Sequence, residues 1–231
     1  MQNYTYLLIN FFTIIICFIF SFHPKIKFNK YFIPFLKAST LVAIPFILWD
    51  MWFTEKGIWW FNYDYTIGLK IGNLPLEEVM FFFCIPFSCV FTYFCINKFY
   101  NLTSVNAFNN IIVFVTSIVC AVFALFHYDK TYTFVTATVT LVTVIYFHFI
   151  VKVEWIGQAS LLFTILMLGF FPVNGVLTGS FLENPIVNYN SNEFLNFRMG
   201  TIPIEDAVYG YSQFLWNIYF FKKFSIQNTN N

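Results

Sequence analysis

The chain predicts an all-α integral membrane protein of about seven transmembrane helices, arranged as a parallel internal repeat of three-helix units joined by a connector helix. Three observations carry that expectation. Of its 231 residues, 59% are apolar, 24% aromatic and 10% charged, whereas a soluble domain carries about 25% charged residues to build its water-facing surface. Mean hydropathy is +0.69. Apolar runs long enough to cross about 30 Å of hydrocarbon fall at roughly 4–22, 34–53, 75–96, 108–126, 132–151, 158–178 and 204–221. A seven-residue pattern, Gly-x-(Leu/Ile)-Pro-(Leu/Ile)-Glu-(Glu/Asp), spans Gly72 to Glu78 and returns 128 positions later from Gly200 to Asp206.

Each run is expected to be helical despite its Phe, Tyr, Val and Ile, because backbone groups in lipid must pair within their own segment. The first run follows Met1, Gln2 and Asn3 with no basic n-region, so it reads as a retained span rather than a cleaved leader. The second ends on Trp49, Asp50, Met51 and Trp52. The loop after it, from Thr54 to Asn73, is rich in aromatics and hydrogen-bonding groups, and reads either as an interfacial belt or as a lid over a lipophilic pocket. The third run opens on the first acidic motif. The fourth is the connector; only His127 to Thr131 separate it from the fifth, so a count of six is the alternative. The fifth begins with Tyr132-Thr133-Phe134, which matches Tyr4-Thr5-Tyr6 at the same offset of 128. The sixth leads into a second long loop, Gly179 to Thr201, and the seventh is short at 18 residues.

The repeat divides the chain into a first unit at 1–100, a connector at 101–131, a second unit at 132–223 and a polar tail at 224–231. Four crossings separate equivalent points, so both units have one orientation and both acidic motifs open helices on one side of the membrane. Lys25, Lys27, Lys30, Lys98, Lys152, Lys222 and Lys223 fall on the other side, against Lys56, Lys70, Lys130 and Arg198 on the motif side. The positive-inside rule then puts the N-terminus and the motifs outside, in a bacterial-type cytoplasmic membrane.

Several function classes drop out. A net charge of +1 with one arginine argues against nucleic acid. Cys17, Cys84, Cys89, Cys95 and Cys120 lie in apolar runs without Cys-x-x-Cys spacing, and His23, His127 and His148 share no ligand spacing, so no metal site is expected. There is no Gly-x-Gly-x-x-Gly fingerprint. No cofactor is therefore predicted, and a requirement for reduced flavin or nicotinamide is left open. No lysine lies between Ile204 and Phe220 to hold retinal, and no paired Asp-rich motifs exist to hold a magnesium diphosphate.

What remains is carboxylates. Pro75 and Pro203 suit a first helical turn, with Asn73 and Thr201 as expected N-caps. Adjacent residues differ by about 100° around a helix, so one acid of each pair faces the bundle while the other caps or reaches water. A helix N-terminus favours the ionised form and an apolar setting the neutral one. Unequal acids suit an enzyme that donates one proton and receives another. Asp50 adds a fifth carboxylate on the motif side, and Asn10 and Asn174 could extend a polar cluster there. Trp59, Trp60, Tyr63 and the run from Phe81 through Phe82 to Phe83 offer ring faces able to stabilise a cation. The plainer reading makes the acids interfacial anchors and the rings packing.

These residues resemble the membrane lycopene cyclase domain family, the heterodimer type found as two small polypeptides in some bacteria and fused in others. The likeness rests on Phe46-Ile-Leu-Trp49-Asp50, on Thr54-Glu-Lys-Gly-Ile-Trp59 followed by Phe61-Asn62, on Leu74-Pro-Leu-Glu-Glu78 with Phe82 and Phe83, and on Ile202-Pro-Ile-Glu-Asp206 with Tyr209. It covers nearly the whole chain and looks like two copies fused. The resemblance implies non-redox cyclisation of the open ends of lycopene to β-ionone rings, without the flavin fold of other lycopene cyclases. It makes Glu77, Glu78, Glu205 and Asp206 the leading catalytic positions, with Asp50 in support. Trp49, Trp59, Trp60, Phe61, Asn62, Phe82, Phe83 and Tyr209 become the substrate- and cation-stabilising candidates. The implied partners are an apolar carotenoid from the bilayer and other carotenoid-pathway enzymes. A related end-group cyclase or hydratase, and a non-enzymatic carotenoid-binding or transport protein, are the alternatives.

Overall fold

The computed structural model describes residues 2–229, with side chains described through Ile226. Residues 1, 230 and 231 lie outside the described residues, including the end of the expected polar tail. The helices are α1 (Thr5–Ser21), α2 (Phe32–Glu55), α3 (Leu76–Phe99), α4 (Asn109–Phe126), α5 (Thr131–Ile145, continued by a π turn over Tyr146–Ile150), α6 (Ile156–Leu177) and α7 (Ile204–Thr229). Six helical stretches among the described residues are long and apolar enough to cross a membrane, as expected of an integral membrane protein. The seventh helix, α7, is not one of them. It runs 26 residues rather than the expected 18, and its polar side chains point inward: Glu205, Asp206, Ser212, Gln213 and Asn217 are all buried. That buried polar face lowers the mean hydropathy of α7.

The helices α1 and α3 pack together, as do α5 and α7, while α2 packs against both α3 and α7. Helix α4 rests on α5, and α6 contacts α3, α4 and α7. At the end remote from the acidic motifs the core is aromatic: the Phe28 ring sits 5.7 Å from Phe87, 5.5 Å from Phe91 and 5.8 Å from Phe221. Lys98 lies at this end, its Nζ donating to the Ile26 carbonyl. Pro86 interrupts α3 and releases the Phe82 carbonyl from its helical partner; the Ser39 hydroxyl of α2 takes it up at 3.4 Å.

The two acidic motifs begin differently from the sequence expectation. Pro75 is not inside the first turn but immediately precedes it, in extended conformation. It belongs to a two-residue hairpin in which β2 (Lys70–Ile71) pairs with β3 (Leu74–Pro75). The same construction joins β5 (Arg198–Met199) to β6 (Ile202–Pro203). Asn73 and Thr201 are therefore turn residues, not N-caps. Asn73 Nδ2 donates to the Met51 carbonyl, and the Thr201 hydroxyl donates to the Gly175 carbonyl, so each ties its hairpin to the end of the preceding helix. Gly72 and Gly200 occupy the first turn position with φ of +63° and +67°, as a tight two-residue hairpin requires. Gly200→Ala is expected to cost about 1–2 kcal/mol through the left-handed backbone alone. Gly72→Ala should cost more, because its Cβ would meet Met51 Cε at 2.8 Å. Thermal unfolding in detergent checks both.

The two long loops pair with each other. Strand β1 (Trp59–Phe61) runs antiparallel to β4 (Val187–Tyr189), with Trp59 opposite Tyr189 and Phe61 opposite Val187. Side chains alternate across a strand, so Trp59 and Phe61 are buried while Trp60 is 48% exposed. This ribbon lies at the motif end of the bundle, its Trp59 ring packed on Phe53 of α2 and Tyr132 of α5.

Candidate active site

Beneath the ribbon lies a cavity of about 470 Å³. It runs between α3, α6 and α7, with α1 contributing Tyr6 and Thr13. Glu78, Asp50 and Asp206 reach its wall at the ribbon end, together with Trp59, Tyr132 and Tyr189. Farther along, the wall is mostly hydrocarbon, including Phe82, Ile85, Leu166 and Phe170. On α3 the wall extends from Glu78 to Thr92, about 21 Å at 1.5 Å per residue.

Each acid pair is split, as the 100° step between neighbours requires. Glu78 turns to the cavity and accepts the Tyr6 hydroxyl at 2.5 Å. Glu77, also buried, turns to the loop, where its Oε1 accepts the Ile67 backbone N–H at 2.6 Å. In the second motif Asp206 turns to the cavity, accepting the Tyr132 hydroxyl on Oδ1 at 2.6 Å and the Tyr189 hydroxyl on Oδ2 at 2.8 Å. Glu205 accepts the Leu195 backbone N–H at 2.9 Å and the Thr133 hydroxyl at 2.7 Å. In both motifs the loop-facing glutamate grips the N–H ten positions upstream.

The tyrosine that serves the first motif is Tyr6, not Tyr4. The sequence offset of 128 pairs Tyr4 with Tyr132, but Tyr4 is 56% exposed while Tyr6 and Tyr132 are buried. Spacing within each unit differs by two residues, since Tyr6 lies 72 positions before Glu78 and Tyr132 lies 74 before Asp206.

Asp50 arrives from α2. Its Oδ1 accepts the Trp59 indole N–H at 2.6 Å, so the ribbon is tied to the carboxyl it covers. Asp50 and Glu78 reach the wall of the same cavity. Asp50 Oδ2 is buried without a hydrogen-bond partner. Tyr209 stands over this group, its ring 4.7 Å from Trp49 and 5.1 Å from Phe46, and its hydroxyl is unpartnered. Desolvation, then the neighbouring Asp206 carboxylate, push the Tyr189 phenol well above its ordinary value. Tyr189 therefore stays a hydrogen-bond donor through neutral and mildly alkaline pH.

Of the sequence candidates, Glu78, Asp50, Asp206, Trp59, Phe61, Phe82 and Tyr209 line the cavity. Glu77, Glu205, Trp49, Trp60, Asn62 and Phe83 do not. Asn62 caps a short turn by accepting the Asp64 N–H, and Trp49 packs behind Tyr209. Asn174 reaches the wall, whereas Asn10 donates to the Glu77 carbonyl at 2.8 Å. Sequence reasoning missed the phenols of Tyr6, Tyr132 and Tyr189 as partners of the acids. The paired Tyr-Thr words at the heads of α1 and α5 carried that signal for Tyr132 but pointed to Tyr4 rather than Tyr6.

The family model for lycopene cyclase matches residues 3–96 and 129–224. The chain belongs to the lycopene cyclase family. Neither a comparison with curated proteins nor one with solved structures gives a match. The matched segments of this lycopene cyclase family member contain both acidic motifs, both phenols from α1 and α5, and both ribbon strands, while α4 falls between them. Among the described residues, no group of three or more His, Cys, Asp or Glu is placed to hold a metal ion.

Proposed function

We propose that this chain is a lycopene β-cyclase, converting the linear ψ-ends of lycopene to β-ionone rings and giving γ-carotene, β-carotene or both by acid–base chemistry without redox change. The observation that carries the reading is one largely apolar cavity holding two unlike carboxyl centres at one end. Asp50 and Glu78, both on the cavity wall and with Asp50 Oδ2 unpartnered, serve as the acid. Asp206 receives two phenol hydrogen bonds, which favour its anion, and serves as the base and cation stabiliser.

A proton from the pair adds to the terminal alkene and leaves a tertiary cation. The neighbouring double bond closes a six-membered ring, and loss of a ring proton to Asp206 restores neutrality, so atoms and charge balance. Trp59 and Tyr209 present rings beside the acids, suited to a passing cation, and the ribbon keeps out water that would trap it. In this proposal Glu77 and Glu205 pin the loops rather than touch substrate. The polyene comes laterally from the bilayer, α7 is a seventh span, the two units derive from a fused repeat, and the motif end faces outward.

Expression in a host that accumulates lycopene, followed by chromatography with mass detection, tests the function. A ring-containing product of unchanged mass supports it. A product heavier by one water would mean a hydratase, and unchanged lycopene with confirmed membrane expression would sink the proposal. The cavity itself has a separate test at Gly169, which lies on its wall with open space where a Cβ would point. Gly169→Phe is expected to accumulate normally yet lose at least about tenfold in turnover, since overfilling a site costs about as much as a misfitted core.

A further inference from the structure

The far part of the cavity is mostly hydrocarbon but carries a polar stripe on α7, where a hydrocarbon substrate would want none. Along α7 the wall is a single helical stripe that continues past Asp206 and Tyr209 to Gln213 and Asn217. At 1.5 Å per residue these last two lie about 10 and 16 Å from Asp206 along the axis. They are 6% and 1% exposed. Asn217 Nδ2 donates to the Gln213 backbone carbonyl at 3.0 Å, which leaves Asn217 Oδ1 and Gln213 Nε2 without partners. One is an acceptor and the other a donor, four residues apart on one helix face. Together they complement a hydroxyl, which gives one hydrogen bond and accepts another. A purely hydrocarbon chain satisfies neither.

Size points the same way. At roughly 30 Å³ per water-sized group, the cavity holds about sixteen such groups, so a C40 chain fits only by one end and leaves the rest in the bilayer. Resting on the cyclase reading, we propose that Gln213 and Asn217 form a hydroxyl-binding subsite admitting a second substrate class: an acyclic polyene alcohol of about fifteen carbons, a size that matches the cavity, with its ψ-end at the acids and its terminal hydroxyl on the amide pair. The ring closes as on lycopene, one proton entering at the terminal alkene and one leaving the new ring. The alcohol is held, not consumed.

The test uses the full chain in lipid nanodiscs with three substrates: lycopene, an acyclic polyene alcohol of about fifteen carbons bearing one ψ-end, and the matching hydrocarbon. The alcohol is expected to be cyclised with kcat/KM about tenfold above the hydrocarbon, the effect of one or two added hydrogen bonds. That ratio should fall toward one in Gln213→Leu/Asn217→Leu. Lycopene turnover with equal rates on the alcohol and its matching hydrocarbon would overturn the subsite and leave the amides as a water site. No lycopene turnover at all would instead remove the cyclase reading on which the subsite rests. Should the double variant fail to accumulate, the wild-type comparison of alcohol with hydrocarbon decides the matter alone.

Discussion

Glu78→Gln is expected to lower lycopene turnover by roughly 10²–10⁴-fold, the usual scale for losing a positioned general acid, whereas Glu77→Gln one residue earlier should spare the chemistry. The contrast follows from which way each side chain turns. Glu78 faces the cavity with Tyr6 against it and Asp50 on the same wall. Glutamine keeps its size and can still accept the Tyr6 hydroxyl, but it cannot carry the exchangeable proton. Glu77 holds the Ile67 N–H and has no place on the cavity wall. Its amide still offers an oxygen to that N–H, so the loss is a charge-assisted bond replaced by a neutral one, about 1 kcal/mol of stability. Asp50→Asn should resemble Glu78→Gln in turnover while retaining the Trp59 contact. Pigment analysis per unit of membrane-inserted protein measures all three. Equal losses at Glu77 and Glu78 would refute the division of labour.

Asp206→Asn is expected to cost a comparable 10²–10⁴-fold, and here the supporting phenols give a graded series. The carboxylate accepts Tyr132 on one oxygen and Tyr189 on the other. Asparagine supplies one acceptor for two donors, so one buried hydroxyl also loses its partner, at about 1–3 kcal/mol of stability. Tyr132→Phe and Tyr189→Phe each remove one donor and should lower turnover by about tenfold, the effect of one hydrogen bond to a charged group. The double variant should depart from the product of the singles, because both act through one carboxylate. Activity unaffected by either phenol would mean that Asp206 does not work as the stabilised anion.

Much of this arrangement is legible in the amino acids. Lipid leaves a backbone no alternative to internal pairing, so apolar runs declare helices, and the short spacer at His127 to Lys130 still separates α4 from α5. The duplicated acidic pattern marks the site because carboxyls beside an apolar run are costly unless used. Family resemblance follows from the same words, and the family match covers the segments that hold them. The expected N-caps failed for a local reason: Gly72 and Gly200 permit a hairpin turn, and the hairpin takes Asn73 and Thr201 before the helix can.

Other features depend on distant parts of the chain meeting. Composition announces two carboxylates per motif, but only the packing of α1 on α3 and of α5 on α7 shows that Glu78 and Asp206 face the cavity while Glu77 and Glu205 face the loops. The replacement of Tyr4 by Tyr6 depends on a two-residue difference in spacing that a constant offset hides. The pairing of β1 with β4 joins loops more than a hundred positions apart, and no local periodicity encodes which strand a partner will be. Helix content, acidic chemistry and family are thus properties of short windows, each set by its own side chains and solvent. The direction of each acid, its phenol partner, the ribbon above it and the amide pair deep beneath it arise from long-range contacts, where the free energy of a side chain depends on neighbours that no short window contains.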